Sequence, residues 1–431
     1  MIRIEDKSKC CGCSACAQIC PQSCISLTPD EEGFLYPVVN EKGCVNCGLC
    51  DKVCPFNVQL EARVPLHAYA AINENLSERL KSSSGGVFVL LAKKVIDRGG
   101  VVFGARFNNR WEVIHDYTET YEGISAFMGS KYVQSRIGNT YSQVKCFLKT
   151  GRKILFSGTP CQIAGLRNYL RKEYDNLLTV DVICHGVPSP AVWIQYLEEI
   201  KRSARKGDNS VSLSPISQVP ERDTLSNVDD VTIESISFRD KRLGWKKYSF
   251  ALTLAEAMPD GKQNTVSLSH IHRDDPYFVG FNDWSLFLRP ICYSCQFREL
   301  RSGSDLTLAD FWGIETLKPE MDDNKGVSVI LSNTPKGNEM VQTLTLKKKE
   351  VDYQDVVKRN KAVIRSFNQA PRSIFDIIRY KKIFKTKRDY FFYDYKHTVA
   401  EKVRIICRRR LRDRFVNLLK RVLTRLCKLF K

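Results

Sequence analysis

The chain has 431 residues, 43% of them hydrophobic and 27% charged, an ordinary globular composition with room for two or three domains and a sizeable core. No run of 18 or more apolar residues occurs, which argues against a membrane-spanning helix, and the start Met-Ile-Arg-Ile-Glu-Asp-Lys has no apolar leader, so a cytoplasmic location is expected. The net charge of +19 is unevenly spread: residues 356–431 hold 24 Lys and Arg against 5 Asp and Glu, whereas residues 1–355 hold 43 of each sign.

Residues 1–62 are expected to form a small ferredoxin-like unit. Cys10, Cys13, Cys16 and Cys20 before Pro21, then Cys44, Cys47, Cys50 and Cys54 before Pro55, each spell Cys-x2-Cys-x2-Cys-x3-Cys-Pro. That is the ligand run of a bacterial two-cluster ferredoxin. Three thiolates two residues apart wrap one corner of a 4Fe-4S cube, and the fourth, ahead of a helix-disfavouring proline, is aimed at the other cube. Cluster one is therefore expected on Cys10, Cys13, Cys16 and Cys54, and cluster two on Cys44, Cys47, Cys50 and Cys20. Zinc is the alternative, but its sites use two Cys-x2-Cys pairs and leave the third cysteine in step unexplained. Oxygen-sensitive clusters need a reducing compartment, so disulfides are not expected among the 17 cysteines.

Gly33-Phe34-Leu35-Tyr36-Pro37 reads as a short strand and turn between the two runs. Beyond a link through Val64-Pro65, residues 67–72 read as a strand, Ser82-Ser83-Ser84-Gly85-Gly86 as a turn, Val87 to Ile96 as a helix ended by Gly99-Gly100, and residues 101–105 as a second strand. Residues 153–157 form a buried-strand pattern that breaks at Gly158 into a helix over 163–172, and residues 178–183 a further strand ending at Cys184. Residues 203–230, rich in Ser, Asp and Pro, read as a long excursion. The fold class expected is mixed α/β or α+β: the ferredoxin-like unit, a mixed α/β region over 66–150 and 151–320, an accessory region over 321–396, and a basic helical tail over 397–431.

Four cysteines outside the first unit stand at chemically suggestive places: Cys161 at a strand-to-helix loop, Cys184 at a strand end, and the pair Cys292 and Cys295. Singly each reads as a small buried hydrophobe. Together they count to four, the number of ligands one further 4Fe-4S cluster needs, and a third cluster is expected on them, leaving Cys11, Cys24, Cys146, Cys407 and Cys427 over.

The blocks Ser82 to Gly86, Gly129-Ser130-Lys131-Tyr132-Val133-Gln134-Ser135, Gly158-Thr159-Pro160-Cys161-Gln162, Cys184-His185-Gly186-Val187-Pro188-Ser189, Cys292-Tyr293-Ser294-Cys295 and Ser304 to Gly313 resemble, in order, the signature blocks of the coenzyme F420 hydrogenase/dehydrogenase beta-subunit family. The resemblance covers about residues 66–320, and Ala309 stands where that pattern leads one to expect glycine. It implies a flavoprotein that binds FAD, with a 4Fe-4S cluster close to the flavin and a face where a deazaflavin or another conjugated hydride carrier docks. Ser82, Ser83, Ser84, Gly85, Gly86, Lys131, Tyr132, Thr159 and Pro160 become the cofactor-binding candidates, and Lys131 and His185 the catalytic ones. A Ser-Ser-Ser-Gly-Gly turn opening a helix presents hydroxyls and backbone N–H groups to a pyrophosphate; the plain alternative is an N-cap and turn. Lys131 is otherwise a solvated lysine, and His185 a structural histidine.

A flavin exchanges single electrons with clusters and electron pairs with hydride carriers, so the expected wire runs from the ferredoxin clusters through a third cluster to FAD and substrate, fed by a ferredoxin or a reductase. Two other readings stay open: an electron-transfer subunit with no substrate of its own, and a membrane-associated redox factor serving surface polysaccharide synthesis, since fused chains of this kind resemble components found beside polysaccharide-assembly enzymes. In the tail, Val403, Leu411, Phe415, Leu418, Leu419, Val422, Leu426 and Leu429 recur at helical spacing among arginines and lysines. That pattern suits an anionic membrane surface, or equally a terminal helix packed on the protein. No nucleic-acid partner is expected, because no binding motif appears.

Overall fold

The structure, a computed structural model, describes residues 1–58, 60–206, 214–215, 231–257, 263–366, 388, 391–392 and 397–406. In the first unit, helices α1 (Ala15–Ile19) and α2 (Leu49–Lys52) grow out of the two cysteine runs, each entered through a left-handed residue, Ser14 at φ 66° and Gly48 at φ 71°. Strands β1 (Ile25–Pro29) and β2 (Leu35–Val39) form an antiparallel hairpin between the runs. The strand read at 33–37 is thus β2, and its partner β1 carried too few apolar residues to be read.

The body begins with β3 (His67–Ile72), followed by α3 (Leu76–Lys81), α4 (Val87–Ile96), β4 (Val101–Phe107), β5 (Val113–Thr118), α5 (Tyr121–Ile124), α6 (Thr140–Lys149), β6 (Ile154–Gly158), α7 (Pro160–Leu170), β7 (Leu177–Val182) and α8 (Pro190–Lys206). Strands β8 (Ser214–Pro215), β9 (Val231–Asp240), β10 (Ser249–Ala257) and β11 (Gln263–Ile271) make an antiparallel sheet in the order β8-β11-β10-β9. Then β12 (Leu306–Asp310), β13 (Ser328–Ser332) and β14 (Lys347–Glu350) complete an eight-stranded mixed sheet, β14-β3-β13-β12-β7-β6-β4-β5. Strands β13 and β14 pair with β3, so one sheet runs across residues 150 and 320, where the sequence suggested boundaries.

Within that sheet β4, β6, β7 and β12 are parallel neighbours, buried on both faces as helix-connected parallel strands must be. Val101, Phe103, Ile154 and Phe156 point to the face covered by α6 and α7, while Val102, Leu155 and Leu178 point to the face covered by α4. Each such side chain, fully buried, contributes roughly 1.5–3 kcal/mol. The carboxyl ends of the four parallel strands share one edge, which is where open α/β sheets place their sites. No helix of the described residues is long and apolar enough to cross a membrane.

Candidate functional site

The spacing of the two cysteine runs brings the fourth cysteine of each run to the other run. Cys20 lines one hollow with Cys44, Cys47 and Cys50. Cys54 joins Cys10, Cys13 and Cys16: Cys16 lies within electrostatic reach of Cys10 and Cys54, and Cys13 within reach of Cys16 and Cys54. Burial, then the neighbouring thiols, push Cys16 up to about 12. A thiol so placed ionises against a metal centre, which removes its proton outright. The Ile2 backbone N–H donates to Cys50 Sγ at 3.3 Å, and Cys24, left aside in the sequence, sets its sulfur 3.4 Å from that of Cys20. Among the described residues no three Cys, His, Asp or Glu converge closely enough for a single metal ion.

A second hollow is lined by Cys161, Cys184, Cys292 and Cys295 together with Cys11 and two arginines, Arg289 and Arg298. Cys161 opens α7 at the end of β6, Cys184 follows the adjacent parallel strand β7, and the last pair lies on the turn Pro290–Ser294 and its cap. Strand order therefore gathers cysteines 134 positions apart in sequence. Thr159 Oγ1 lies 3.2 Å from Cys161 Sγ, and the Val187 N–H donates to Cys292 Sγ at 3.4 Å. Burial pushes Cys184 up to about 12 and also raises Cys292 and Cys295. The buried Cys11 thiol meets both Cys13 and Cys161, so it touches the two sites at once. Helix α7 spans the same pair: it carries Cys161, and a Cβ on its Gly165 would sit 2.9 Å from Cys13 Cβ and Sγ.

The other candidates fall at the same carboxyl edge. In the Ser82–Gly86 turn, Ser82 Oγ donates to Glu78 O (2.8 Å), Ser84 Oγ to Val327 O (2.7 Å) and the Gly85 N–H to Ser328 Oγ (2.9 Å), while Ser83 Oγ accepts from the Ser130 N–H (2.6 Å). The turn is thus stitched to β13 and to the loop that holds Lys131 and Tyr132. Lys131 Nζ donates to Met128 O (3.0 Å) and Gly129 O (3.2 Å), and burial lowers it to about 7. The Tyr132 hydroxyl accepts from Arg239 at 3.1 Å; Arg239 in turn pairs with Asp310 at 2.8 Å and lies 3.9 Å over the Tyr248 ring. Thr159 and Pro160 form the cap and first turn of α7, with the Thr159 N–H donating to Gln162 Oε1 (2.9 Å). His185 lies between two residues that line the second hollow, Cys184 and Gly186, without lining it itself; its Nε2 is 3.4 Å from Ser285 Oγ, and burial lowers it to about 4, so it is neutral at pH 7.

Two residues the sequence did not single out join this neighbourhood. His115 stacks on Phe156, lies within the electrostatic field of Lys131, and is lowered by burial to about 4. Its Nδ1 and the Nε of Arg239 are buried without a hydrogen-bond partner. Orphaned polar atoms beside a cation and a tyrosine suit a polar ring system that would satisfy them. Neither residue carried a local sequence signal, because tertiary packing alone buries it.

Residues 9–58 match the family described as 4Fe-4S dicluster domain, and residues 151–208 match the family described as the C terminus of the coenzyme F420 hydrogenase/dehydrogenase beta subunit. A coenzyme F420-dependent sulfite reductase of Methanocaldococcus jannaschii is 24% identical over 204 residues, covering 45% of this chain. The chain spans 30% of that relative's length. An uncharacterized ferredoxin of the same organism is 39% identical over 57 residues, 13% of this chain and 73% of the ferredoxin. Among solved structures, a chain of the F420-reducing NiFe hydrogenase complex from Methanosarcina barkeri aligns over 70% of this chain and 91% of its own length, at 14% identity and a TM-score of 0.39.

Proposed function

From the match of residues 9–58 to the 4Fe-4S dicluster domain and of residues 151–208 to the C terminus of the coenzyme F420 hydrogenase/dehydrogenase beta subunit, we propose an oxidoreductase that passes electrons from its two ferredoxin clusters through a third 4Fe-4S cluster to FAD. From there they leave as hydride to a deazaflavin or another conjugated carrier, and a ferredoxin or a reductase supplies them. The observation that carries this reading is the second hollow: four cysteines from three separate segments line it, and Cys11 of the ferredoxin unit closes it. Cys161, Cys184, Cys292 and Cys295 would hold the third cluster. Lys131, Tyr132, His115 and Arg239 would hold the flavin, which supplies the exchange between one-electron and two-electron chemistry. Lys131 Nζ, lowered to about 7, can keep or lend a proton at working pH. Cys47 is exposed, which leaves cluster two open to an external donor.

A relay subunit without substrate is the second reading, favoured by one observation: the hydroxyls of Ser82 and Ser84 are already spent on backbone carbonyls. One anaerobic preparation separates the two. Three clusters give about 12 iron per chain, Cys295→Ser should remove about a third of it while leaving the ferredoxin signals, and denaturation should release FAD. Iron near 8 per chain removes the third cluster, and a cluster-replete sample that yields no flavin leaves the relay.

A further inference from the structure

Two buried guanidinium groups flank the second hollow, and both are spent on neutral acceptors. Arg289 is fully buried. Its Nε donates to Cys10 O (2.7 Å), and its terminal nitrogens to Gln134 Oε1 (2.8 Å), to Leu35 O (2.8 Å) and, at 3.5 Å, to the sulfur of Cys10. Its plane rests 4.3 Å over the Tyr36 ring. The backbone yields to it: Gly12, left-handed at φ 67°, would set a Cβ 2.7 Å from the guanidinium. Arg298, also buried, donates to the carbonyls of Cys184, Ala362 (2.6 Å) and His185 (3.1 Å), and its Nε has no hydrogen-bond partner.

A buried cation without a carboxylate is costly unless some other anion faces it. The groups facing Arg289 are Cys10, Tyr36, Cys11 and Cys292, and those facing Arg298 include Cys184 and Cys295. Every one of these cysteines except Cys11 is a candidate cluster ligand. Thiolate-bound clusters are anionic, and the anion grows by one charge on reduction. A fixed cation and an N–H to S contact therefore favour the reduced form and raise the potential. The hollow of Cys20, Cys44, Cys47 and Cys50 is lined by no lysine or arginine among the described residues; its cation is the Met1 ammonium, which, unlike the two arginines, is paired with a carboxylate, Asp51, at 2.9 Å.

We propose that Arg289 and Arg298 are the counter-charges of the third cluster, Arg289 being shared with cluster one through Cys10, and that they give the third cluster the highest reduction potential of the three. The inference rests on the three-cluster reading. With the clusters bound, single electrons would pass from cluster two to cluster one to the third cluster, with no bond made or broken, and a one-electron protein donor would replace each of them. The arginines are positioning residues: they set the direction of flow without touching substrate.

The test is an anaerobic redox titration followed by electron paramagnetic resonance on the full chain, with iron counted in every sample. Cys295→Ser assigns the third cluster's step, which should be the highest. Arg298→Gln should lower that step alone, and Arg289→Gln should lower it together with one ferredoxin step, each by roughly tenfold or more in the reduction equilibrium, ~59 mV for one electron. Arg289→Lys, which keeps the charge, should recover most of the shift. If Arg289→Gln loses iron, Arg298→Gln decides, because the hydrogen bonds of Arg298 go to carbonyls and none goes to a cysteine sulfur. Full iron with unmoved potentials, or a third-cluster step below the other two, overturns the proposal. Iron near 8 in the unmutated chain overturns the three-cluster reading, and this inference with it.

Discussion

Gly165 leaves no room for even one methyl group. An alanine there would place its Cβ 2.9 Å from Cys13 Cβ and Sγ and 3.0 Å from the Tyr141 hydroxyl, which itself donates to Gln162 O at 2.8 Å. Within a helix Gly→Ala gains up to ~1 kcal/mol of propensity, but overpacking a close contact costs about 1–3 kcal/mol, so the contact wins. What must move is Cys13, a candidate cluster ligand, or the Tyr141 hydroxyl. We expect Gly165→Ala to lower iron occupancy and Gly165→Val to abolish one ferredoxin-type signal, a loss of about 4 iron per chain, while the circular dichroism of the body stays unchanged. A Gly165→Val protein with full iron would mean that α7 can withdraw from Cys13 without consequence.

The strands show which residues of the signature blocks serve the fold. In β12 and just before it, Asp305 accepts from the Thr179 N–H (2.8 Å), the Thr179 hydroxyl (2.8 Å) and the Thr334 hydroxyl (2.8 Å), tying β7, β12 and the chain after β13 together. Removing a buried acceptor strands all its donors, at about 1–3 kcal/mol for each unsatisfied group. Asp305→Ala should therefore destabilise the chain by about 3 kcal/mol or more, read as a lower urea midpoint with iron per folded chain unchanged; a midpoint within error of the parent would show the three bonds to be replaceable. The sequence let α4 be read at both ends, because Gly86 and Gly99 punctuate an apolar run. It also let the dicluster domain be read, because the spacing of its cysteines is local. It did not let β9 to β11 be read: register shifts between β9 and β10 break the two-residue alternation, so apolar residues fall on Val231 and Ile233, then on Ile236 and Phe238. Arg289 and Arg298 were illegible for a related reason, since burial of an arginine is decided by segments far away in sequence. Ala309, where glycine was expected, is an ordinary strand position paired with Val329.

At the scale of the whole molecule the charge is the remaining feature, and the described part of the tail divides it. Residues 399–406 are helical, with Val399, Ala400, Val403 and Ile406 buried and the Val399 N–H donating to the Glu199 carboxylate of α8 at 3.0 and 2.9 Å. Val403, the first residue of the apolar stripe, therefore packs against the body. The other stripe residues, from Leu411 to Leu429, lie outside the described residues. Residues 407–431 hold ten Lys and Arg against one Asp, with apolar residues at helical spacing among them. We propose that this segment attaches the protein reversibly to anionic membranes. At roughly 1 kcal/mol for each basic side chain near the surface, half of the ten would give micromolar binding once the apolar contacts are added, and salt should weaken it. The comparison that decides is co-sedimentation of the full chain and of a chain ending at Ile406, which keeps the packed turns, with anionic and with neutral vesicles at low and high salt. The full chain should pellet with anionic vesicles at low salt only, and the shortened chain with neither; equal behaviour of the two chains would assign residues 407–431 no part in membrane attachment.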